Sequence, residues 1–349
     1  MDRIYEIAKE LTAIPGVSGD ESRSFPYLEK TLAGKFDDFG FTPVGSYFGI
    51  RKSKKKNAKT VLFDAHLDTI GFIVTKICDG GFLKVMMVGR TAEKNLSASE
   101  VWIYGKRTIP GVFASKPPHL QEPGESEKKL SIDDLSIDTG LSKEELEEIV
   151  RVGTFVGFKA DCEKLSDNVI VSPSFDDRIC AACILRALEL VEGEDIGVNA
   201  AFQFSAGEET GYKGAMTTAY RIAPDYAIVL DVCNAYVPGA REARKAVQIG
   251  KGCSLSYSAQ TNRELTEFTR TLAEKNGIAL QFLAEPGATG TNSNVIQTGH
   301  GGVPTVLLSI PLKNMHTANE VADLRDCEET AKLLAEFLRS IGSYQGVEE

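Results

Sequence analysis

Apolar residues recur at helical spacing over residues 4 to 14, where Ile4, Ile7, Ala8 and Leu11 share one face, and Gly16 to Asp20 breaks the pattern. Residues 60 to 65, Thr-Val-Leu-Phe-Asp-Ala, are a nearly continuous apolar run and predict a largely buried strand ending at His66. From about 72 to 163 the texture changes to short β-like runs at Phe72 to Ile77, Phe82 to Val88, Val101 to Tyr104 and Thr108 to Ala114. The same stretch holds a polar loop from Lys116 to Asp133 and one acidic helix from Ser142 to Val150. After residue 165 strands alternate with helices: a helix over Asp177 to Val191, a strand over Val198 to Ser205 and a strand over Tyr226 to Leu230. Thr261, with Glu264 three residues on, predicts a capping box for a helix that runs to Asn276 and stops at Gly277. Pro304 to Ile310 is a further apolar strand, and Cys327 to Ile341 is a closing amphipathic helix with Ala331, Leu334, Leu338 and Ile341 on one face.

Strand–helix alternation predicts an α/β fold, a mostly parallel sheet flanked by helices. The buried character of the strand before His66 matches that of the later strands, so residues 1–71 and 164–349 are expected to form one catalytic domain. Residues 72–163 then form a small β-rich domain inserted into it. Small β domains tend to leave sheet edges that need covering, and pairing two insertions about a two-fold axis would cover them. The basic run Arg51 to Lys59 lies between apolar segments and is expected at a solvated hairpin tip.

Composition narrows the function classes. Of 349 residues, 42% are hydrophobic and 25% charged, as in an ordinary soluble globular protein, and no apolar run approaches the roughly 20 residues that span a bilayer. The first residues mix acids with apolar groups and carry no secretory h-region. A net charge of −10 argues against nucleic acid as a partner. Seven cysteines suggest no disulfide framework, so the expected compartment is the reducing cytoplasm. Cys180 and Cys183 are spaced like a redox or zinc pair, but they fall in an apolar helical pattern with Ile184, Ala187, Leu188 and Val191 and read as buried small hydrophobes.

The chemistry concentrates at strand ends. His66-Leu67-Asp68 follows the first buried strand; side chains alternate along extended chain, so His66 and Asp68 point the same way, and Asp68 can accept a hydrogen bond that fixes the imidazole tautomer. Asp176-Asp177-Arg178 opens a helix, Glu208-Glu209 follows the strand 198–205, Asp231 ends the strand 226–230, and His316 lies six residues past Ile310. Ligands of open α/β sheets bind outside the carboxyl ends of the strands. Two histidines with several carboxylates suit Zn²⁺, Co²⁺ or Mn²⁺, and one carboxylate can bridge two ions about 3.5–4 Å apart. Taken singly, each piece has a plainer structural reading: a His-x-Asp pair, an N-cap, a solvated Glu-Glu turn. Their recurrence at successive strand ends favours a metal centre. His119 and His300 read as loop residues.

These residues resemble the glutamyl and deblocking aminopeptidases, the tetrahedral family of dinuclear-metal peptidases. The matching stretches are Ala65-His66-Leu67-Asp68-Thr69-Ile70-Gly71-Phe72, Phe175-Asp176-Asp177-Arg178, Gly207-Glu208-Glu209-Thr210-Gly211, Leu230-Asp231 and Met315-His316-Thr317, with Lys116-Pro117-Pro118-His119-Leu120 and Ile137-Asp138-Thr139-Gly140 in the insertion. The resemblance implies two divalent ions, Zn²⁺ or Co²⁺ with Mn²⁺ admitted. It implies His66 and Asp231 on one, Glu209 and His316 on the other, Asp176 bridging, Glu208 as general base and Asp68 as partner of His66. It also implies a PDZ-like dimerisation domain, peptide substrates and a closed homo-oligomer, expected to be a dodecamer built from dimers. The chain departs from the family at Gly287 to Asn292 and at Lys313-Asn314, near the expected substrate pocket, which affects side-chain preference. Three rival readings remain at this stage: a glycoside hydrolase using paired carboxylates, another two-metal amidohydrolase such as a deacylase or dipeptidase, and a non-catalytic assembly protein that keeps the fold.

Overall fold

The computed structural model describes residues 1–122, 124, 129–240 and 247–346. Part of the polar loop expected over Lys116 to Asp133 therefore lies outside the described residues. The chain opens with α1 (Asp2–Thr12) and α2 (Phe25–Leu32), then β1 (Asp38–Phe41), β2 (Tyr47–Arg51) and β3 (Thr60–His66). The insertion supplies β4 (Gly71–Ile77), β5 (Phe82–Val88), β6 (Glu100–Tyr104), β7 (Thr108–Ala114), β8 (Ser136–Asp138), α3 (Lys143–Ile149) and β9 (Phe155–Phe158). There follow β10 (Glu163–Lys164), β11 (Val169–Ser172), α4 (Phe175–Leu190), β12 (Asn199–Ser205), α5 (Lys213–Ile222), β13 (Tyr226–Asn234) and β14 (Cys253–Ser258). The chain continues through α6 (Arg263–Lys275), β15 (Leu280–Glu285), α7 (Ser293–Ile296), β16 (Thr305–Leu312), β17 (Glu320–Asp323) and α8 (Leu324–Ile341).

Eight strands form one sheet in the order β1-β2-β12-β3-β13-β16-β14-β15. Four of its seven pairings are parallel, β12–β3, β3–β13, β13–β16 and β14–β15. The central strands are apolar on both faces, so both must be covered. On one face Phe63, Phe202, Leu230 and Leu308 pack with α1, α4 and α8, and Phe63 stacks on Phe202 at 5.5 Å and meets the edge of Phe337 at 6.2 Å. Burying one such ring stabilises the fold by about 1.5–3 kcal/mol. On the other face Leu62, Ala201, Ala227, Val229 and Leu307 pack with Ala215 and Ala219 of α5 and Ile296 of α7. Parallel order points the carboxyl ends of β3, β12 and β13 to one edge of this sandwich, where the histidines and carboxylates lie.

Three local expectations are corrected. The basic run Arg51 to Lys59 is not a hairpin tip, because β12 pairs between β2 and β3 and the run arches over its end. Asn199, at the start of β12, ties the arch down: its Oδ1 accepts the Ser53 N–H at 3.0 Å, and its Nδ2 donates to the Ala58 carbonyl at 3.1 Å. The cap of α6 is Asn262, whose Oδ1 accepts the Leu265 N–H at 2.9 Å, while Thr261 donates its hydroxyl into the preceding turn, to the Ser256 and Ser258 carbonyls. Asp231 lies inside β13, paired with Ser309 of β16, since the strand runs on to Asn234.

The insertion is a closed antiparallel barrel, β4-β5-β8-β7-β6-β9, with its own apolar interior. Phe72 anchors that interior with Phe113 at 4.9 Å and Phe158 at 5.5 Å. Closure leaves no sheet edge. Uncovered edges, the physical motive for pairing read from the sequence, are therefore absent from this barrel. No helix among the described residues is long and apolar enough to cross a membrane.

Candidate metal centre

His66 is the last residue of β3, Asp231 projects from β13, and Glu208 and Glu209 sit in the turn that follows β12. That turn passes through Gly207 at φ +69°, a left-handed conformation that glycine adopts without strain. Asp176 and Asp177 lie at the head of α4 with non-helical backbone angles, joined by a cis peptide bond. His316 stands in the loop after β16 with φ +62°.

The geometry centres on Asp176. One carboxylate oxygen lies 3.0 Å from His66 Nε2 and the other 3.0 Å from His316 Nε2. Two clusters share this residue, His66–Asp176–Asp231 and Asp176–Glu209–His316, and within each the candidate ligand atoms lie within 4.8 Å of one another. Glu208 belongs to neither cluster, yet its Oε2 is 3.9 Å from His66 Nε2. Gly89, at φ +75°, abuts the centre from the barrel side: a Cβ there would lie 3.2 Å from Glu209 Oε2 and 2.9 Å from Ile70 Cγ2.

Three further carboxylates stand behind these residues and bind backbone. Asp68 accepts the N–H groups of Glu208 at 3.0 Å and Glu209 at 3.2 Å, one on each oxygen. Asp177 accepts the His66 N–H at 3.0 Å. Glu320 accepts the N–H of His316 at 2.7 Å and of Asp176 at 3.0 Å. The expected Asp68–imidazole hydrogen bond is corrected accordingly. His66 Nδ1–H donates to the Asp68 backbone carbonyl at 2.9 Å, while the carboxylate is 3.7 Å away. The carbonyl fixes the same tautomer and leaves Nε2 facing the centre. Arg178, 1% exposed, donates to the Leu67 carbonyl at 3.1 Å and to the Leu11 carbonyl at 2.8 Å, tying the segment after β3 to α1. Glu320 and Arg178 were missed as functional residues; Glu320 carries no sequence signal beyond its place four residues after His316.

Electrostatically the cluster is short of positive charge. Among the described residues, its ion-pair contacts are all to His66 and His316, none to a lysine or arginine. Burial, reinforced by the Asp176 and Asp68 charges, pushes the Glu208 carboxyl up to about 7. Burial and neighbouring carboxylates likewise drive Glu209 and Asp231 well above the usual range. Burial also works to raise Asp176, but hydrogen bonds from His316 and His66 outweigh it and hold that carboxyl well below the usual range. Glu209 Oε1 is buried without a hydrogen-bond partner. Crowded, desolvated carboxylates with an orphaned oxygen and two imidazoles fit a pair of divalent cations.

The centre opens into a cavity of about 820 Å³ whose far wall includes Leu283, Glu285 and Ala288 to Thr291, with Met315 beside His316 and Arg90 at the barrel side. The Gly287 to Asn292 stretch thus reaches this cavity, whereas Lys313 and Asn314 do not line it and only the following Met315 does. Cys180 and Cys183 are fully buried in α4, and neither belongs to a ligand cluster. His300 stacks on Tyr220 with ring centroids 4.7 Å apart, and His119 lies on an exposed turn; both are outside the centre.

The model of the M42 glutamyl aminopeptidase family matches residues 45–333. The lysyl aminopeptidase of Pyrococcus furiosus is 33% identical, over 97% of both chains. Among solved structures, an aminopeptidase of Desulfurococcus kamchatkensis superposes with TM-score 0.90 at 31% identity, over 99% of this chain and 98% of that one. The TET1 peptidase of Pyrococcus horikoshii, described as able to assemble into a tetrahedron or a large octahedral shell, superposes with TM-score 0.84 at 29% identity, over 97% and 99%.

The charge imbalance makes stability depend on pH and metal together. Glu208 titrates near 4.5 when solvated and near 7 in the fold, so its contribution to the metal-free protein is complete below about 4.5 and is lost as pH rises through 7. The melting temperature of chelated protein should therefore fall between about pH 5 and pH 7.5. Added Zn²⁺ or Co²⁺ should raise it, and by more at pH 7.5, because the ligands must be deprotonated. Equal increments at the two pH values would contradict this account.

Proposed function

The chain belongs to the M42 glutamyl aminopeptidase family and is a metal-dependent peptide hydrolase, and we propose how its residues divide that work. His66 and Asp231 would hold one divalent ion and Glu209 and His316 a second, with Asp176 shared between the two ligand sets. The observation that carries this reading is the split of the Asp176 carboxylate, one oxygen 3.0 Å from each imidazole. The donor set suits Zn²⁺ or Co²⁺, with Mn²⁺ admitted. When bound, such ions acidify a water and polarise the scissile carbonyl.

The remaining chemistry belongs to the protein. Glu208 faces the shared space without entering either ligand cluster, so its carboxylate is free to take a proton from the attacking water and later deliver it to the leaving amine. Asp68 holds the backbone of Glu208 and Glu209 and keeps base and ligand in step. The carboxylates at the cavity floor would accept the free α-amine of a peptide, which restricts cleavage to chain ends. Glycoside hydrolysis would leave both histidines without a task, and no observation favours a deacylase or dipeptidase. The domain division is read as 1–71 with 164–349 for catalysis and 72–163 for dimerisation. Seven free cysteines support a reducing, cytoplasmic setting. The assembly described for the P. horikoshii peptidase supports a closed homo-oligomer here, read as a dodecamer built from dimers, which would admit short peptides and exclude folded proteins.

Glu208→Gln keeps side-chain size and removes the proton acceptor. It should retain both ions and lose ~10²–10⁴-fold in kcat on aminoacyl-amide substrates; a kcat within threefold of wild type would sink the assignment. Asp176→Ala should lower occupancy of both ions, whereas His316→Ala should empty mainly one, as elemental analysis would report. Emptying by Asp177→Ala but not by Asp176→Ala would move the bridge to the other aspartate. For assembly, light scattering at micromolar concentration should return a multiple of the 37.8 kDa chain, and the monomer mass would refute the oligomer.

A further inference from the structure

Glu320 opens β17, where it stands opposite Ser172 of β11, and it is 1% exposed. Its oxygens serve two different segments. Oε1 accepts the His316 N–H at 2.7 Å, in the loop after β16, and Oε2 accepts the Asp176 N–H at 3.0 Å, at the head of α4. The loop itself closes without this help. Lys313 and Val321 exchange two backbone hydrogen bonds of 3.0 Å at its base, and Thr317 Oγ1 donates to the Asn314 carbonyl at 2.7 Å within it. What those bonds leave open is where the loop stands relative to α4. Glu320 is the side chain that spans that gap, and His316, in the left-handed region at φ +62°, is the residue it grips. Asp68 performs the same two-handed task for Glu208 and Glu209 on the opposite side of the centre.

We infer that Glu320 is a positioning residue that sets the separation of the His316 imidazole from the Asp176 carboxylate, and through it the affinity for the ion that these two share with Glu209. This inference rests on the ligand reading proposed above. A glutamine here would offer one acceptor and oppose its NH₂ to the second backbone donor, so one of the two contacts would have to open.

The test compares metal binding, not turnover. Zn²⁺ is titrated into chelator-stripped Glu320→Gln, Glu320→Asp and wild type against a competing fluorescent chelator, and apoprotein melting is recorded in parallel. Glu320→Gln should weaken one ion 10–100-fold, the range for loss of a group that orients a ligand, and the other by much less. Its apoprotein should melt within about 3 °C of wild type. Glu320→Asp keeps two acceptors on a shorter stem and should recover part of the affinity; should the glutamine variant not fold, the same ion-selective loss in the aspartate variant carries the test. In a His316→Ala background, where that ion is already lost, Glu320→Gln should change nothing further. Wild-type affinity for both ions in Glu320→Gln, or in Glu320→Asp where only that variant folds, overturns the inference. So does an equal loss of both ions, or a loss that tracks apoprotein unfolding, since each marks a merely structural role. If His316→Ala itself keeps both ions, the ligand reading fails and this inference with it; if His316→Ala loses one ion and the Glu320 variants lose none, only this inference fails.

Discussion

The costliest feature of this molecule is a knot of carboxylates held out of water at the carboxyl edge of an apolar sheet. Asp68, Asp177 and Glu320 are each 0–1% exposed, and Asp176 and Asp231 are 6–7% exposed. Such groups survive burial only when their oxygens are engaged. Here the engagement is divided. One set turns toward the imidazoles and the shared space between them. The other set turns outward and takes the backbone N–H groups of the first set's own residues. Negative charge is thereby stacked behind negative charge, an arrangement that is unfavourable by itself and favourable around cations. The layered sheet supplies the rigid floor: β3, β12 and β13 are parallel neighbours, so His66, Asp231 and the Glu208–Glu209 turn are delivered to one edge.

How much of this was legible in the sequence depends on how local the cause is. The runs that became β3, β12, β13 and β16 are apolar on both faces, and α1 and α8 have clean helical stripes, so the α/β architecture and the site's location followed from periodicity. The outer strands β1, β2, β14 and β15 were not seen, because segments such as Asp38–Phe41 and Cys253–Ser258 are short and mixed in polarity. The supposed hairpin at Arg51 to Lys59 failed for a non-local reason, the pairing of β12 between strands adjacent in sequence. Alternation places Asp68 beside the His66 ring, and its carboxylate is 3.7 Å from Nδ1, but its oxygens are taken by the Glu208 and Glu209 N–H groups, a non-local pairing. Glu320 is a single glutamate in an unremarkable stretch, and only tertiary structure discloses what its two oxygens hold.

The roles of the two histidines are likewise unequal in their support. His66 sits in a continuous strand and is 1% exposed, with its Nδ1–H fixed by a carbonyl two residues away. His316 rides on a short loop, its side chain 30% exposed, and depends on a carboxylate from the next strand for its backbone alignment. A rigid imidazole and a tethered one thus flank the same carboxylate, that of Asp176. His316 lines the same cavity as Met315 and the stretch from Ala288 to Thr291.

The connection that leaves β5 touches both residues of the tethered side. Gly89 lies against the Glu209 carboxylate, and the Thr91 hydroxyl donates to the His316 carbonyl at 3.5 Å. The barrel is therefore mechanically in series with the centre. Whatever free energy an ion gains from that alignment, it returns as resistance to displacing the barrel, and the exchange is equal in both directions. The barrel and the sheet edge meet at these few residues of backbone, so a surface change on the barrel would reach an ion bound there through Gly89 to Thr91.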